Sequence, residues 1–236
     1  YYIGVFECTQ KQWELVMGTK PSWYNNATYY ATRPVETISF SMIRGSGDDG
    51  WPAYGHAVDA SSFMGKLQAK TGLTFDLPTE AQWEYACRAG TQTPLYSGAE
   101  LTSMSICPNV DALAWYGGNE IFLHPVGLKE ANCWGFYDMV GNAEEMCLDY
   151  WVEHLGIATA TDPYYVAEDG SCVGRGGCFD STSRFSWEYA RTCRSAFRRS
   201  FSRTGAYGNG GFRVALVPNE YKVRKPTVPV LPEPEE

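Results

Sequence analysis

The sequence predicts an α+β domain with low regular secondary structure, in which two helices near the front precede many short, irregular strands. Apolar residues recur at helical spacing only within the first 90 residues, whereas short apolar pieces separated by Gly and Asn follow. The 24 Gly and 13 Pro are typical of a loop-rich fold rather than a helical bundle. A length of 236 residues permits one large domain or two small ones.

The first two helices are indicated by apolar periodicity. Residues 1–8 are predicted to form an edge strand, and the peptide TQKQWELVMG that follows places Trp13, Val16 and Met17 on one side of a short helix. A second helix is predicted over residues 59–71, with its apolar residues on one face. These helices account for the front of the domain.

A further helix has the strongest start signal in the chain. In LPTEAQWEYACRAG, residues 77–90, the Thr79 hydroxyl can cap the helix while Gln82 reaches back to it. No helix is predicted after residue 90, and GGFRVALV near the end is the clearest late strand. Residues 218–236 are rich in Pro and charge, which predicts a tail with polyproline-like preference.

Composition and charge exclude several classes of protein. Hydrophobic residues make up 44% and charged residues 19%, which excludes a disordered chain. No stretch approaches the roughly 18 uninterrupted apolar residues of a membrane-spanning helix. The net charge of −8 has the wrong sign for a nucleic-acid partner.

The cysteines and the start of the chain leave location open. None of the eight cysteines forms a C-x-x-C pair, which disfavours a zinc ribbon or a thioredoxin-type site. Their spacing is compatible with buried free thiols and with one or two disulfides. The chain begins in the strand-like YYIGVFE without a signal peptide, so we expect the natural N-terminus to lie upstream.

Five segments then occur in a fixed order. They are YYIGVFECTQKQWELVMG at the start, RPVETISF at 33–40, FDLPTEAQWEYACRAG at 75–90, HPVGLKEANCWGFYDMVGNAEEM at 124–146, and RGGCFDS at 175–181 with GNGGFRVA at 208–215. Together they resemble the formylglycine-generating enzyme (sulfatase-modifying factor) family, whose fold is a variant of the C-type lectin fold. The resemblance implies one such domain over residues 1–217, followed by a Pro- and Glu-rich tail.

The resemblance bears directly on catalysis. Enzymes of this family oxidise a cysteine of a client sulfatase to formylglycine, with a copper ion held by two cysteines whose soft thiolates suit Cu(I). Counting from Gly177, the matching positions are Ser181 and Ser186, whose hydroxyls are weak ligands for Cu(I). Cys178 and Cys193 do not reproduce the family spacing. A non-catalytic branch is therefore implied; the alternative is a copper-dependent oxidase with displaced cysteines, or a related oxygenase on this scaffold.

The resemblance also implies a candidate calcium site. The family's N-x-x-E segment, which helps to hold a structural calcium, matches Asn142 and Glu145, whose oxygens suit that ion. The alternative is that Asn142 caps a turn and Glu145 is a satisfied polar group. No cofactor beyond this calcium is expected, and His56, His124 and His154 are scattered without metal-ligand spacing.

The C-terminal segment resembles a second branch of the fold, the variable proteins of diversity-generating retroelements, treponemal ones included. In these proteins the segment between R-G-G and G-F-R is rewritten by mutagenic reverse transcription. Here the frame is RGG, CRSAFR and GGFR, and the residues between follow no strand or helix period. The resemblance implies a diversified binding site over residues 179–208.

This segment has the amino-acid mixture of an antibody paratope. Aromatic side chains supply rigid contact area, and Ser, Asp and Gly supply adaptable hydrogen bonds. The candidate ligand-binding residues are Asp180, Ser181, Ser183, Phe185, Ser186, Trp187, Phe201, Ser202, Ala206, Tyr207 and Gly208. Phe185, Trp187, Phe201 and Tyr207 are expected to be exposed apolar anchors. Core positions are expected instead for Phe179, Phe197 and Phe212.

The arginines between Arg191 and Arg203 allow two interpretations. They could form a basic patch for an acidic ligand, or Arg194 and Arg198 could brace the loops through carboxylate and carbonyl contacts. The net charge of −8 favours bracing.

The combined expectation is a non-enzymatic, surface-displayed protein that binds an unknown protein or glycan, with no nucleic-acid partner. By analogy it is a monomeric bacterial outer-membrane lipoprotein, attached only through a lipid anchor that this chain lacks. A third interpretation is a structural or accessory domain in which residues 179–208 are buried.

Overall fold

The computed structural model describes residues 1–45, 58–156, 160–165, 170–180 and 188–216. In chain order the elements are β1 (Tyr2–Ile3), α1 (Gln10–Met17), α2 (Phe40–Arg44), α3 (Phe63–Thr71), β2 (Phe75–Asp76), α4 (Glu80–Arg88), α5 (Pro108–Asp111), β3 (Glu144–Tyr150), β4 (Ser171–Arg175), α6 (Tyr189–Thr192), β5 (Arg198–Ser202), β6 (Gly210–Gly211) and β7 (Ala215–Leu216). Within these described ranges, no helix is both long and apolar enough to cross a membrane.

The three predicted helices are confirmed as α1, α3 and α4. The hydroxyl of Thr79 accepts from the Gln82 backbone at 3.2 Å, and the Gln82 side chain accepts from the Thr79 N–H at 3.0 Å, which completes the predicted capping box. Helix α3 begins four residues later than expected, because the side chain of Ser62 caps it.

Three short helices were not predicted. Helix α2 has five residues, and α5 and α6 have four each, so none is long enough to show an apolar period. The expectation of no helix after residue 90 is therefore wrong, because α5 and α6 each form a single helical turn there.

The described strands form two sheets. In the three-stranded sheet, β7 lies between β1 and β2 and is antiparallel to both. In the four-stranded sheet the order is β5-β4-β3-β6, with β6 parallel to β3. The peptide GGFRVALV was predicted as one strand but supplies β6 to one sheet and β7 to the other. Residues 212–214 between them belong to neither strand, and Phe212 and Arg213 are buried.

The central strand β3 contributes to two hydrophobic clusters. All seven of its residues are buried, and successive side chains face opposite sides. Met146 packs in a cluster with Trp13 and Phe212, whereas Cys147 packs in a cluster with Trp83. The four-stranded sheet is therefore covered on both faces, which makes it a fixed support for the segments attached to it.

One buried arginine joins the distant parts of the fold. Arg213 Nε and Nη2 donate to the two carboxylate oxygens of Glu145 on β3, at 2.6 and 2.5 Å. Its Nη1 donates to the Gly4 carbonyl at 2.9 Å and its Nη2 to the Tyr137 carbonyl at 3.1 Å. The indole N–H of Trp83 on α4 donates to the same carboxylate at 2.7 Å. A single ion pair thus ties the N-terminus, α4, β3 and the C-terminal segment together.

Removing this arginine should be costly. We expect Arg213→Met to lower the free energy of unfolding by about 3–5 kcal/mol, because the carboxylate of Glu145 would remain buried without its partner. Urea unfolding followed by circular dichroism measures the change. As a control, Lys11→Met removes the exposed 2.8 Å pair with Glu14. That change should leave the free energy of unfolding almost unchanged, because solvent screens an exposed ion pair. Equal costs for the two variants would contradict this role of Arg213.

Candidate functional site

The structure describes part of the predicted binding segment, residues 179–208. The described members are Asp180, Phe201, Ser202, Ala206, Tyr207 and Gly208, whereas Ser181, Ser183, Phe185, Ser186 and Trp187 lie outside the described residues. For these described members, and for the frame residues on either side of them, the structure shows the contacts and the burial of each side chain.

The R-G-G frame forms a fixed corner at the end of β4. Gly176 and Gly177 have φ values of 93° and 69°, and a Cβ at Gly177 would lie 2.7 Å from the Thr192 carbonyl oxygen. The preceding Arg175 is fully buried, donates to the Phe197 carbonyl at 2.6 Å and pairs with Glu84. The start of the binding segment is therefore held by backbone geometry and by an ion pair.

The arginines that follow brace the fold, as the charge balance favoured. Arg198 pairs with both carboxylate oxygens of Glu80, at 2.5 and 2.8 Å, and donates to the Val152 carbonyl at 2.8 Å. Arg194 Nε donates to the Arg191 carbonyl at 3.0 Å. The bracing interpretation is confirmed for Arg194 and Arg198.

Phe201 corrects one expectation. It was predicted to be an exposed anchor, but it is 1% exposed and belongs to the core cluster of Met146. The reason is its position on β5, where Phe201 pairs with Cys172 and faces inward while Ser200 is exposed. The expected lack of any period therefore does not hold at Ser200 and Phe201, which face opposite sides of β5.

Tyr207 is intermediate between core and surface. Its ring meets Phe201 edge-on at 5.0 Å and is only partly buried. Its carbonyl accepts from the Thr37 N–H at 2.9 Å, and its backbone forms an isolated bridge with Ile38. The ring is therefore partly accessible, while its backbone is fixed.

The residues around Tyr207 face outward. Ala206 and Gly208 are exposed, Ser202 is half-buried on the edge strand β5, and a Cβ at Gly208 would meet nothing within 4 Å. Asn209 Nδ2 donates to Cys178 Sγ at 3.4 Å. This contact brings the turn at 202–208 beside the start of the segment.

An exposed tryptophan borders this surface and was missed by the sequence reasoning. Trp23 is 80% exposed, while the N–H of its neighbour Tyr24 donates to the buried Glu36 carboxylate at 2.9 Å. The Tyr24 ring contacts Phe179 edge-on at 5.3 Å, and Asp180 raises the Tyr24 pKa in addition to the larger effect of burial. The available signal was a large aromatic in the turn-rich peptide PSWYNN.

The expected calcium site does not fit the structure. Asn142 Oδ1 accepts from the His124 N–H at 3.0 Å, and its Nδ2 donates to Glu7 at 2.8 Å. Both oxygens of Glu145 are held by Arg213, so a cation already occupies the position of a metal. In the described ranges, no group of three or more His, Cys, Asp or Glu side chains could hold a metal ion. Glu145 is thus a satisfied polar group, as the alternative interpretation holds, whereas the Asn142 side chain joins Glu7 to His124 rather than capping a turn.

The cysteines are free thiols. All eight fall within the described residues; none is in a disulfide, and seven are buried, Cys133 being exposed. Burial raises the pKa of Cys178, and its thiol donates to the Asp180 carbonyl at 2.9 Å. Cys178 is therefore held as a neutral, hydrogen-bonded thiol.

Three carboxyl groups of the core, those of Glu144, Asp149 and Asp138, are buried and have raised pKa values. Glu144 Oε2 accepts from Arg199 at 3.1 Å, whereas its Oε1 has no hydrogen-bond partner among the described residues. Burial raises the pKa of Glu144 to about 7, against the opposing effect of Arg199. Burial also raises the pKa of Asp149 to about 7 and that of Asp138 to about 6.

The raised pKa values of these carboxyl groups predict how the stability of the fold depends on pH. A carboxyl whose pKa is higher in the folded state binds its proton more tightly when folded, so stability rises as pH falls from about 7 towards the unfolded values of 4.5 and 3.8. We expect the melting temperature to rise by roughly 5 °C between pH 8 and pH 5.5. Glu144→Gln should flatten this dependence. A melting temperature that decreases when the pH is lowered from 8 to 5.5 would contradict the assignment.

The comparisons with known proteins identify the family. The model of the sulfatase-modifying factor enzyme 1-like domain matches residues 1–217. The chain belongs to this family. Treponema denticola variable protein 1 has the same fold, with a TM-score of 0.72 and 25% identity over 92% of this chain and 84% of that one. The predicted resemblance and the fold class are thereby confirmed.

Two curated relatives differ in what their names say. Chaperone protein LppX of Paenibacillus barcinonensis is 30% identical over 209 residues, covering 73% of this chain and 69% of that protein. The formylglycine-generating enzyme of Mus musculus is 29% identical over 150 residues, 59% of this chain. The match covers 38% of that enzyme, so the chain spans well under half of its length. The proteins that this chain resembles thus include a named enzyme, a named chaperone and a variable protein.

Proposed function

We propose that the protein is a non-enzymatic ligand-binding member of the family, and that residues 179–208 form its diversified binding surface. The observation that supports this most strongly is the separation of roles within the segment. Frame residues such as Arg175 and Arg213 are buried in ion pairs, while Ala206 and Gly208 are exposed. Substitution of the exposed positions would leave the support unchanged.

The chemistry of the surface fits recognition better than catalysis. Ser202, the partly exposed ring of Tyr207 and the neighbouring Trp23 combine hydrogen-bonding groups with rigid aromatic area. The positions that match the copper cysteines are Ser181 and Ser186, which removes the soft ligands on which the enzymatic reaction depends.

The likeness to a variable protein supports a place for this chain at the cell surface. There it would bind a protein or glycan as a monomer, require no cofactor, bind no nucleic acid and depend on a lipid anchor outside the present sequence for membrane attachment. These points belong to the same proposal.

Sequencing the gene and its downstream region in many isolates of the source tests the proposal. Substitutions should be confined to codons between Gly177 and Gly211 and should match adenines of a nearby near-copy. Within that interval they should fall at outward-facing codons such as Ala206 and Gly208 and spare Phe201. Uniform, low variation without a template repeat would remove the retroelement assignment.

Copper binding separates this proposal from an oxidase, which the family match keeps as the second candidate. We expect anaerobic Cu(I) titration to show no stoichiometric uptake at submicromolar concentration. A double variant with Ser181→Cys and Ser186→Cys restores the family's pair of thiols and serves as the matched gain-of-binding control. Tight, stoichiometric uptake by the natural chain would overturn the non-enzymatic assignment.

A further inference from the structure

Exposed aromatic side chains from two distant parts of the chain meet beside the start of the binding segment. Trp23 is 80% exposed and Phe122 is 51% exposed. Tyr24, which follows Trp23 in the sequence, meets the ring of Phe122 edge-on at 6.3 Å and the ring of Phe179 edge-on at 5.3 Å. We call Trp23, Tyr24 and Phe122 the aromatic rim. Through Phe179, the rim is continuous with the proposed binding surface.

A buried carboxylate holds the loop that carries Trp23. Glu36 is fully buried, and its Oε1 accepts from the N–H of Tyr24 at 2.9 Å. The N–H of Trp23 and the hydroxyl of Thr37 also hydrogen-bond to this carboxylate. The N–H of Thr37 in turn donates to the Tyr207 carbonyl at 2.9 Å. The loop of Trp23 and the turn at 202–208 are therefore fixed by the same short segment, residues 36–37.

A second carboxylate holds the loop that carries Phe122. Glu120 Oε1 accepts from the N–H of Ile121 at 2.7 Å, and the N–H of Phe122 hydrogen-bonds to the same carboxylate. Glu120 Oε2 lies 2.8 Å from Nε2 of His124, which closes the loop. Ile121 and Phe122 are thereby presented outward on a fixed backbone. Side chains on fixed loops lose little conformational entropy when a ligand binds.

The chemistry of the rim favours a polypeptide over a glycan. The carboxylates of Glu36 and Glu120 accept hydrogen bonds from the loops that they hold, so the rim offers mainly apolar area. A glycan needs hydrogen-bond partners for its many hydroxyl groups, and burying a hydroxyl without a partner costs binding free energy. Trp and Tyr side chains, in contrast, are enriched among the residues that contribute most of the affinity in protein–protein interfaces.

We propose that the aromatic rim is a constant anchor of the binding surface and takes a bulky apolar side chain of a polypeptide ligand. This inference rests on the proposed function, because it assigns a ligand class to the same surface. A few aromatic anchors supply most of the affinity of an interface, while the contacts around them decide which partner is accepted. The binding segment can therefore change its contacts while the rim keeps a basal affinity for polypeptides.

Peptides selected from a random phage-displayed library on the natural full chain test the anchor. Biolayer interferometry measures the affinity of each synthetic peptide for the natural chain and for variants whose melting temperatures are unchanged. Trp23→Ser should weaken binding about ten-fold or more, because it removes an anchor, whereas Trp23→Phe keeps an aromatic face and should retain most of the affinity. Tyr85→Ser removes an exposed aromatic ring from α4 and is the matched control, which should leave the affinity unchanged.

Gly208→Arg separates this inference from the proposed function. A Cβ at Gly208 meets nothing within 4 Å, so the new side chain extends from the turn and should block peptides that bind there. Loss of binding with Gly208→Arg but not with Trp23→Ser would overturn the anchor and leave the proposed function standing. Loss with Trp23→Ser alone would support the anchor and count against the turn as part of the surface. Peptides that neither change affects would overturn both.

A glycan array probed with the natural chain tests the ligand class. We expect no glycan on the array to be bound in a manner that depends on Trp23. Recovery of no peptide from the library, or binding of an oligosaccharide that is lost with Trp23→Ser, would overturn the polypeptide assignment.

Discussion

The buried ion pair between Arg213 and Glu145 is the interaction on which the rest of the structure depends. Taking two charges out of water costs several kcal/mol per ion unless further hydrogen bonds satisfy them. Here the indole of Trp83 and the carbonyls of Gly4 and Tyr137 supply those bonds. The pair therefore joins β3 to the N-terminal residues and to the C-terminal segment.

The candidate binding surface follows from how that segment is held. One end is fixed by Arg213, and the other by the R-G-G corner, where Arg175 pairs with Glu84. Between these anchors, inward-facing residues such as Phe201 fill the core, and outward-facing ones are free to change. A surface on a rigid support loses little conformational entropy on binding, so changes of side chain can be converted into changes of affinity.

The same support explains how residues at the reactive positions of the family can differ while the fold is kept. The family's copper cysteines match Ser181 and Ser186, whereas the ion pairs that hold the described frame join Arg175 with Glu84 and Arg213 with Glu145. The fold can therefore be shared by a named enzyme and a variable protein, since the reactive groups are attached to a scaffold that does not need them.

Sequence reasoning succeeded where local chemistry decides the structure. The capping box of Thr79 and Gln82 and the family motifs are written in consecutive residues, so α4 and the fold class were predicted correctly. Sequence reasoning failed where the role of a side chain depends on a partner far away in the sequence. Glu145 matched a calcium ligand, but its carboxylate is taken by Arg213, 68 positions away.

The sequence also did not reveal which side chains are buried in segments that show no regular alternation of apolar and polar residues. Phe201 is inward because of its cross-strand position opposite Cys172, which the chain alone does not reveal. Trp23 was overlooked for the opposite reason, because a turn-rich peptide offers no period by which an exposed aromatic can be recognised.

The central claim is that a buried frame supports a surface that tolerates change, and a saturation scan of residues 175–213 measures this most directly. Each variant is displayed on yeast and scored for resistance to protease, which reports folding without knowledge of the ligand. The account predicts that Ser200, Ser202, Ala206 and Gly208 accept most substitutions, whereas Phe201 and the buried arginines accept almost none. Equal sensitivity of the outward-facing and buried positions would contradict it.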